Sequence, residues 1–202
     1  MIKYIQPVKP NSAQGLVAEV YAQIKQDFGA VTEPFLIHSP LPKLLSGAWM
    51  VCREAGLVGI VPREIKEAIA VAVSQTNKCP YCVDTHTIML NAMGHKEVAE
   101  TISSGRYSHI PGIELQRIVE WSMATTAPKS LALRVPPFSQ QQAPEIIGTA
   151  VFFHYINRMA TVLLGDTLLP FNQRWLKSPL KQVSIRMFSK AIIKPKEAGS
   201  SL

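Results

Sequence analysis

The chain is poor in the features that mark exported, membrane-spanning and nucleic-acid-binding proteins. Its three cysteines, Cys52, Cys79 and Cys82 among 202 residues, are too few for a small scaffold stapled by disulfides. No uninterrupted apolar run approaches the roughly 20 residues needed to cross a bilayer, and the longest, such as EIIGTAVFF, are soon broken by polar residues. The opening MIKYIQPVKPNSAQG has no apolar stretch of the kind an export signal uses. The expected compartment is therefore the reducing cytoplasm, where thiols stay free for redox or metal chemistry. Sustained apolar/polar alternation between hairpin turns is also missing, which argues against a sheet. Acids are scarce, 14 against 21 Lys and Arg, and the imbalance is local: from Phe171 onward seven basic residues face one acid, Glu197. Such a segment can attract phosphate or anionic lipid. No helix-turn-helix, RNA-binding aromatic motif or zinc finger accompanies it, so nucleic acid is not an expected partner.

What the chain does have is helical periodicity. NSAQGLVAEVYAQIKQDFG spaces Leu16, Val17, Val20, Tyr21 and Ile24 along one face, with Ser12 or Asn11 as a cap and Gly29 as a stop. Further helices are predicted around Leu44–Cys52, in VPREIKEAIAVAVSQT with Pro62 in its first turn, in CPYCVDTHTIMLNAMG, KEVAETISSG and IELQRIVEWSMATTAP, and in EIIGTAVFFHYINRMATVLLGD. KSLALRVPPFSQQQAP reads as a linker. The expectation is an all-α domain of seven to nine helices over residues 1–170, followed by a basic segment over 171–202. Residues 65–73 and 146–164 carry apolar side chains on more than one face, which predicts a homo-oligomer. In the basic segment Leu180, Val183, Met187, Phe188, Ala191 and Ile192 can share a face. That face could rest on an anionic membrane, though packing on a neighbouring subunit or on the core is the stronger expectation.

The chemistry concentrates in NKCPYCVDTH. With Asn77 as helix cap and Pro80 in the first turn, Cys79, Cys82 and His86 fall at i, i+3 and i+7 on one face. First-turn amides and the helix dipole favour the thiolate, most strongly at Cys79. The two thiols are close enough to form a disulfide across one turn, and His86 is in reach as a proton partner. If the preceding helix packs antiparallel, Glu67 approaches the same turn; a carboxyl in an apolar site would have a raised pKa and could shuttle a proton. The alternative is that Glu67, like Glu64 and Lys66, faces solvent. A zinc site from Cys79, Cys82, His86 and Cys52 lacks a second paired knuckle. Cys52 sits among Trp49, Met50 and Val51, where an inert buried thiol is expected. Haem attachment needs histidine where Val83 stands, and a thioredoxin fold needs a strand where a helix is predicted. Two incidental buried cysteines with a surface histidine complete the alternatives.

REIKEAIAVAVSQTNKCPYCVDTHT resembles the carboxymuconolactone decarboxylase superfamily, in its alkylhydroperoxidase D-like branch, whose signature is Glu, eleven residues, then Cys-x-x-Cys-x-x-x-His. Glu67, Cys79, Cys82 and His86 fit that spacing, and FFHYINRMATVLLGD resembles a later helix of the peroxidase-related members. The resemblance implies an all-helical fold forming trimers or hexamers, and a thiol peroxidase that reduces hydrogen peroxide or organic hydroperoxides. It gives Cys82 the attack on peroxide, Cys79 the closure of a disulfide, an external dithiol (a thioredoxin-like or lipoyl protein) the reduction, and Glu67 and His86 the proton relay. It implies no cofactor. A lyase of the decarboxylase type and a redox sensor that exchanges disulfides are the competing expectations. Tyr81 departs from the family enzyme, which has histidine there. His154, Tyr155, Asn157 and Arg158 are expected either to line the pocket or to fix helix packing, and His38, His95 and His109 have no assigned role.

Overall fold

The computed structural model describes residues 2–164 and Lys196; the basic segment predicted from residue 171 lies outside the described residues, Lys196 apart. Among them are eight α-helices and no strand: α1 (Gly15–Phe28), α2 (Glu33–Leu36), α3 (Pro42–Val51), α4 (Arg63–Thr76), α5 (Pro80–Ala92), α6 (Lys96–Ser103), α7 (Ile113–Ala124) and α8 (Ala143–Leu163). The all-α expectation stands. A π-helical segment, Cys52–Leu57, continues α3, and short 3-10 turns fall within the Pro- and Gln-rich linker and elsewhere.

α4 is the axis of the molecule. Every residue from Lys66 to Ser74 is buried, with α5, α6, α7 and α8 packed around it. Ala68, Ala70 and Ala72 alternate with Ile69, Val71 and Val73, so small side chains admit neighbours closely between the large ones. A helix apolar on every face becomes a core helix. Ile69 and Val73 meet Ile118, Ile146, Ala150 and Phe153 on one side; Val71 and Ala72 meet Leu90, Ala99, Ile102 and Val119 on another. Each fully buried Ile or Leu here contributes roughly 2 kcal/mol of transfer free energy. A second core joins α1 to α3 through Val20, Ile24, Phe28, Leu45 and Trp49.

Three local expectations change. α1 starts at Gly15 with Gln14 at its N-cap, because Pro10–Ser12 forms its own 3-10 turn; Gly29 ends it as expected, in the left-handed region at φ 81°. Pro62 caps α4 rather than entering its first turn. α8 is 21 residues long and apolar enough, by length and composition, to cross a bilayer, although the unbroken runs in its sequence are short. In the fold it is a core helix, burying Ile146, Ala150, Phe153, Ile156 and Ala160.

Candidate active site

α4 and α5 meet in a three-residue junction that fixes the cysteines. The Lys78 N–H donates to Gln75 O (3.0 Å) and the Cys79 N–H to Ser74 O (2.9 Å), while Lys78 takes φ 55°. These two bonds and the left-handed residue form a Schellman stop for α4. The next residue, Cys79, is already the N-cap of α5, and Pro80 is its first helical residue, where a missing N–H costs nothing. The structure thus moves the cap from Asn77, which ends α4, to Cys79. Cys79 stays at the positive end of the α5 dipole, and Cys82 lies in its first turn.

Both thiols are buried, and their sulfurs are 2.8 Å apart. At that separation the pair shares one proton, so ionisation of the first thiol eases and that of the second is opposed. Cys79 is the easier of the two. Its contact with the Cys82 thiol outweighs burial and, with help from the Cys82 backbone N–H and the Thr161 side chain, brings its pKa down to about 7. Cys82 is pushed up by the same contact and by burial, against which the side chains of Asn157 and Ser74 act. Cys52 is half-buried on the π-helical segment, and desolvation pushes it up to about 12. It remains a protonated thiol at neutral pH.

Glu67 does not face solvent. It is 3% exposed, and its Oε2 lies 2.6 Å from His86 Nδ1 while Oε1 accepts from Arg63 Nε at 2.7 Å. Burial alone would raise this carboxyl, but the charges of Arg63 and His86 outweigh burial, and its pKa falls to about 2. The raised pKa expected for an apolar site is therefore corrected: Glu67 stays ionised and holds other groups in place. A carboxylate only accepts, so Nδ1 of His86 is the donor and Nε2 is free to exchange a proton. Lys66 is also buried; it donates to Val58 O and pairs with Glu145 at 2.6 Å.

A cavity of about 370 Å³ opens onto this cluster, lined by Phe28, Phe35, Met89, Phe152, Phe153 and Ile156 together with Cys82, His86, Cys52, Tyr81 and Glu33. Cys79 lies behind this wall with Ile37, Ala160 and Leu164. His86 sits edge-on to Phe153, ring centroids 4.6 Å apart. A smaller cavity of about 30 Å³ lies between Arg63, Glu67, His86 and Cys52, enough for one water. Among the described residues no group of three His, Cys, Asp or Glu side chains converges as a metal site requires.

The polar string of α8 mostly fixes packing. Asn157 Oδ1 accepts from Asn77 Nδ2 at 2.8 Å, and Asn157 Nδ2 donates to Ser74 Oγ at 2.9 Å. His154 joins Asn77 to Thr125, 3.0 and 2.7 Å away. Tyr155 OH meets the buried His38 at 2.8 Å, so His38 has a structural partner that its place between elements did not disclose. Arg63 also escaped notice, although its position four residues before Glu67 is the spacing of a helical ion pair. Glu33 is 48 positions from Tyr81, and no local pattern links them.

Residues 44–104 match the carboxymuconolactone decarboxylase family. An alkyl hydroperoxide reductase of Mycobacterium tuberculosis is 43% identical over 173 residues, which is 86% of this chain and 49% of that protein. The chain thus spans about half the length of this curated relative. A crystal structure of an alkylhydroperoxidase D core, from a peroxidase-related protein of Ralstonia eutropha, superposes with a TM-score of 0.62 at 20% identity, covering 95% of this chain and 100% of that one. An apo debrominase (Bmp8) superposes at 0.66 with 18% identity, covering 94% and 98%. At such identities the two structures establish the fold alone.

Proposed function

From the premise that the chain belongs to the carboxymuconolactone decarboxylase family and has the alkylhydroperoxidase D-like fold, we propose that it is a thiol-dependent peroxidase acting on organic hydroperoxides. The observation that carries this reading is a pair of reduced sulfurs 2.8 Å apart, of which Cys82 lines an apolar cavity beside His86.

In this reading the resting charge lies on Cys79. When a hydroperoxide enters, Cys82 passes its proton to Cys79 across the short contact and becomes the nucleophile. Cys82 attacks the terminal oxygen; the S–O bond forms as the O–O bond breaks. The departing alkoxide takes a proton from His86 Nε2 and leaves as an alcohol. Cys79 then attacks the sulfenic sulfur, water is released, and a Cys79–Cys82 disulfide remains. A dithiol protein returns two electrons and two protons by thiol–disulfide exchange. Glu67, held by Arg63, keeps Nδ1 protonated and orients the ring.

Treating the fully reduced protein with one equivalent of cumene hydroperoxide should consume two of its three thiols, leaving Cys52. Cys82→Ser should consume peroxide only at the background rate, and Cys79→Ser should stop at one sulfenic acid that dimedone traps. A wild-type protein that keeps all three thiols ends the proposal. Assembly into a homo-oligomer belongs to the same reading. It is supported by the exposed Ile147, Val151 and Val162, which share a stripe of α8, and light scattering of the full chain tests it.

A further inference from the structure

The cavity has one charged wall residue whose charge no ion pair offsets among the described residues. Glu33 opens α2 and lines the cavity with Cys82. Tyr81, which is 6% exposed and stands one residue before Cys82, shares that wall; its phenol is pushed up first by burial and then by the Glu33 charge. The other nearby acids have cationic or imidazole partners: Glu67 has Arg63 and His86, and Asp27 has Arg53 at 2.8 Å. Among the described residues no Lys or Arg lines the large cavity. A site meant for a carboxylate-bearing molecule would be expected to offer a guanidinium or ammonium. Among the described residues the one carboxylate in the wall has the opposite sign, and the rest of the wall is mainly apolar.

Building on the peroxidase reading, we infer that Glu33 is a specificity-determining residue that admits neutral and cationic hydroperoxides and rejects anionic ones such as carboxylated hydroperoxides. A second negative charge inside this cavity would meet Glu33 across a poorly hydrated space, where like charges repel far more than in water. A donor group on the substrate, hydroxyl or ammonium, would instead find an acceptor.

The test uses three hydroperoxides of one shape: cumene hydroperoxide and its 4-carboxy and 4-aminomethyl derivatives. With the full chain at neutral pH and low salt, kcat/KM should be about 10-fold lower for the carboxylate than for the neutral compound, and no lower for the ammonium. Glu33→Gln should narrow the carboxylate penalty at least about fivefold and weaken the ammonium compound. Added salt should narrow the wild-type penalty as well, because Glu33 is partly exposed. Desolvation alone would penalise both ions alike, so equal penalties overturn the inference, as does a carboxylate penalty unchanged in Glu33→Gln. Calorimetric binding of the three product alcohols reads the same preference without turnover. Failure of the wild type to reduce any hydroperoxide, with the alcohols still ranked by charge, would sink the peroxidase reading and leave the selectivity of the cavity intact.

Discussion

His86 Nδ1 lies 2.6 Å from one oxygen of Glu67, and the other oxygen lies 2.5 Å from Arg63 Nη2. A buried carboxylate between two cationic partners behaves as a fixed anion, and this has a measurable consequence in acid. The pKa of Glu67 falls from 4.5 unfolded to about 2 folded. A depressed carboxyl contributes stability that is fully present above the unfolded value and disappears as pH falls through the folded value. The contribution is roughly 3 kcal/mol, lost between about pH 4.5 and pH 2. Urea denaturation of wild type and Glu67→Gln across that window should show the wild type losing more stability by about that amount. Parallel curves would mean that Glu67 is not held as described.

The sulfur pair makes a second prediction. One thiolate should appear near pH 7, from Cys79, while Cys82 and Cys52 stay protonated well above neutrality. Absorbance at 240 nm should therefore rise by one thiolate per chain, with a midpoint near 7. Cys82→Ser should move the midpoint of Cys79 by less than Cys79→Ser moves the first ionisation, because a serine hydroxyl still donates to a thiolate. A titration with no step below pH 8 would contradict the shared proton.

Much of this site was legible before any coordinates. The spacing of Glu67, Cys79, Cys82 and His86 named the four groups, and the antiparallel return of α5 on α4 brought Glu67 to His86. Local patterns carry that information because all four lie on two consecutive helices. The pKa of Glu67 was not legible: it depends on Arg63 being drawn in against the same carboxylate, and burial alone predicts the opposite shift. The cap was misplaced by two residues because asparagine is the better capping residue by preference, whereas α4 runs through Asn77 before it stops. Glu33 beside Tyr81 and His38 beside Tyr155 depend on tertiary packing over long sequence separations, for which no periodicity exists.

The junction itself can be tested through Lys78. Its left-handed backbone, φ 55°, occupies the position where a Schellman stop favours glycine. A side chain there costs roughly 1 kcal/mol. Lys78→Gly should stabilise the protein by about that amount in chemical denaturation, with the 240 nm titration unmoved. If Lys78→Gly destabilises instead, the lysine has a role beyond filling the turn.

Gly59 sets the strictest steric condition away from the sulfurs. At φ 103° it lies against the Glu145 carboxylate, and an added Cβ would stand 2.3 Å from the carboxyl carbon. That carboxylate has no room to yield, because it accepts from the N–H groups of Ile60 (2.8 Å) and Val61 (3.0 Å) while pairing with the buried Lys66. Lys66 in turn sits on the central helix, so the loop before α4, the start of α8 and α4 itself meet at one anion. Gly59→Ala should cost several kcal/mol, by clash and by the unpaired groups that a displaced carboxylate leaves behind. Gly105, at φ 75° with nothing within 4 Å of an added Cβ, supplies the control: Gly105→Ala carries only the backbone strain, roughly 1 kcal/mol. A double-mutant cycle with Glu145→Ala separates the causes. Removing the carboxylate leaves Lys66 unpaired, which is costly alone, but it also removes the obstacle to the Cβ. The two substitutions should therefore cost clearly less together than the sum of each alone. Additive costs would mean that the carboxylate is free to swing away and that Gly59 is required for its backbone angle only.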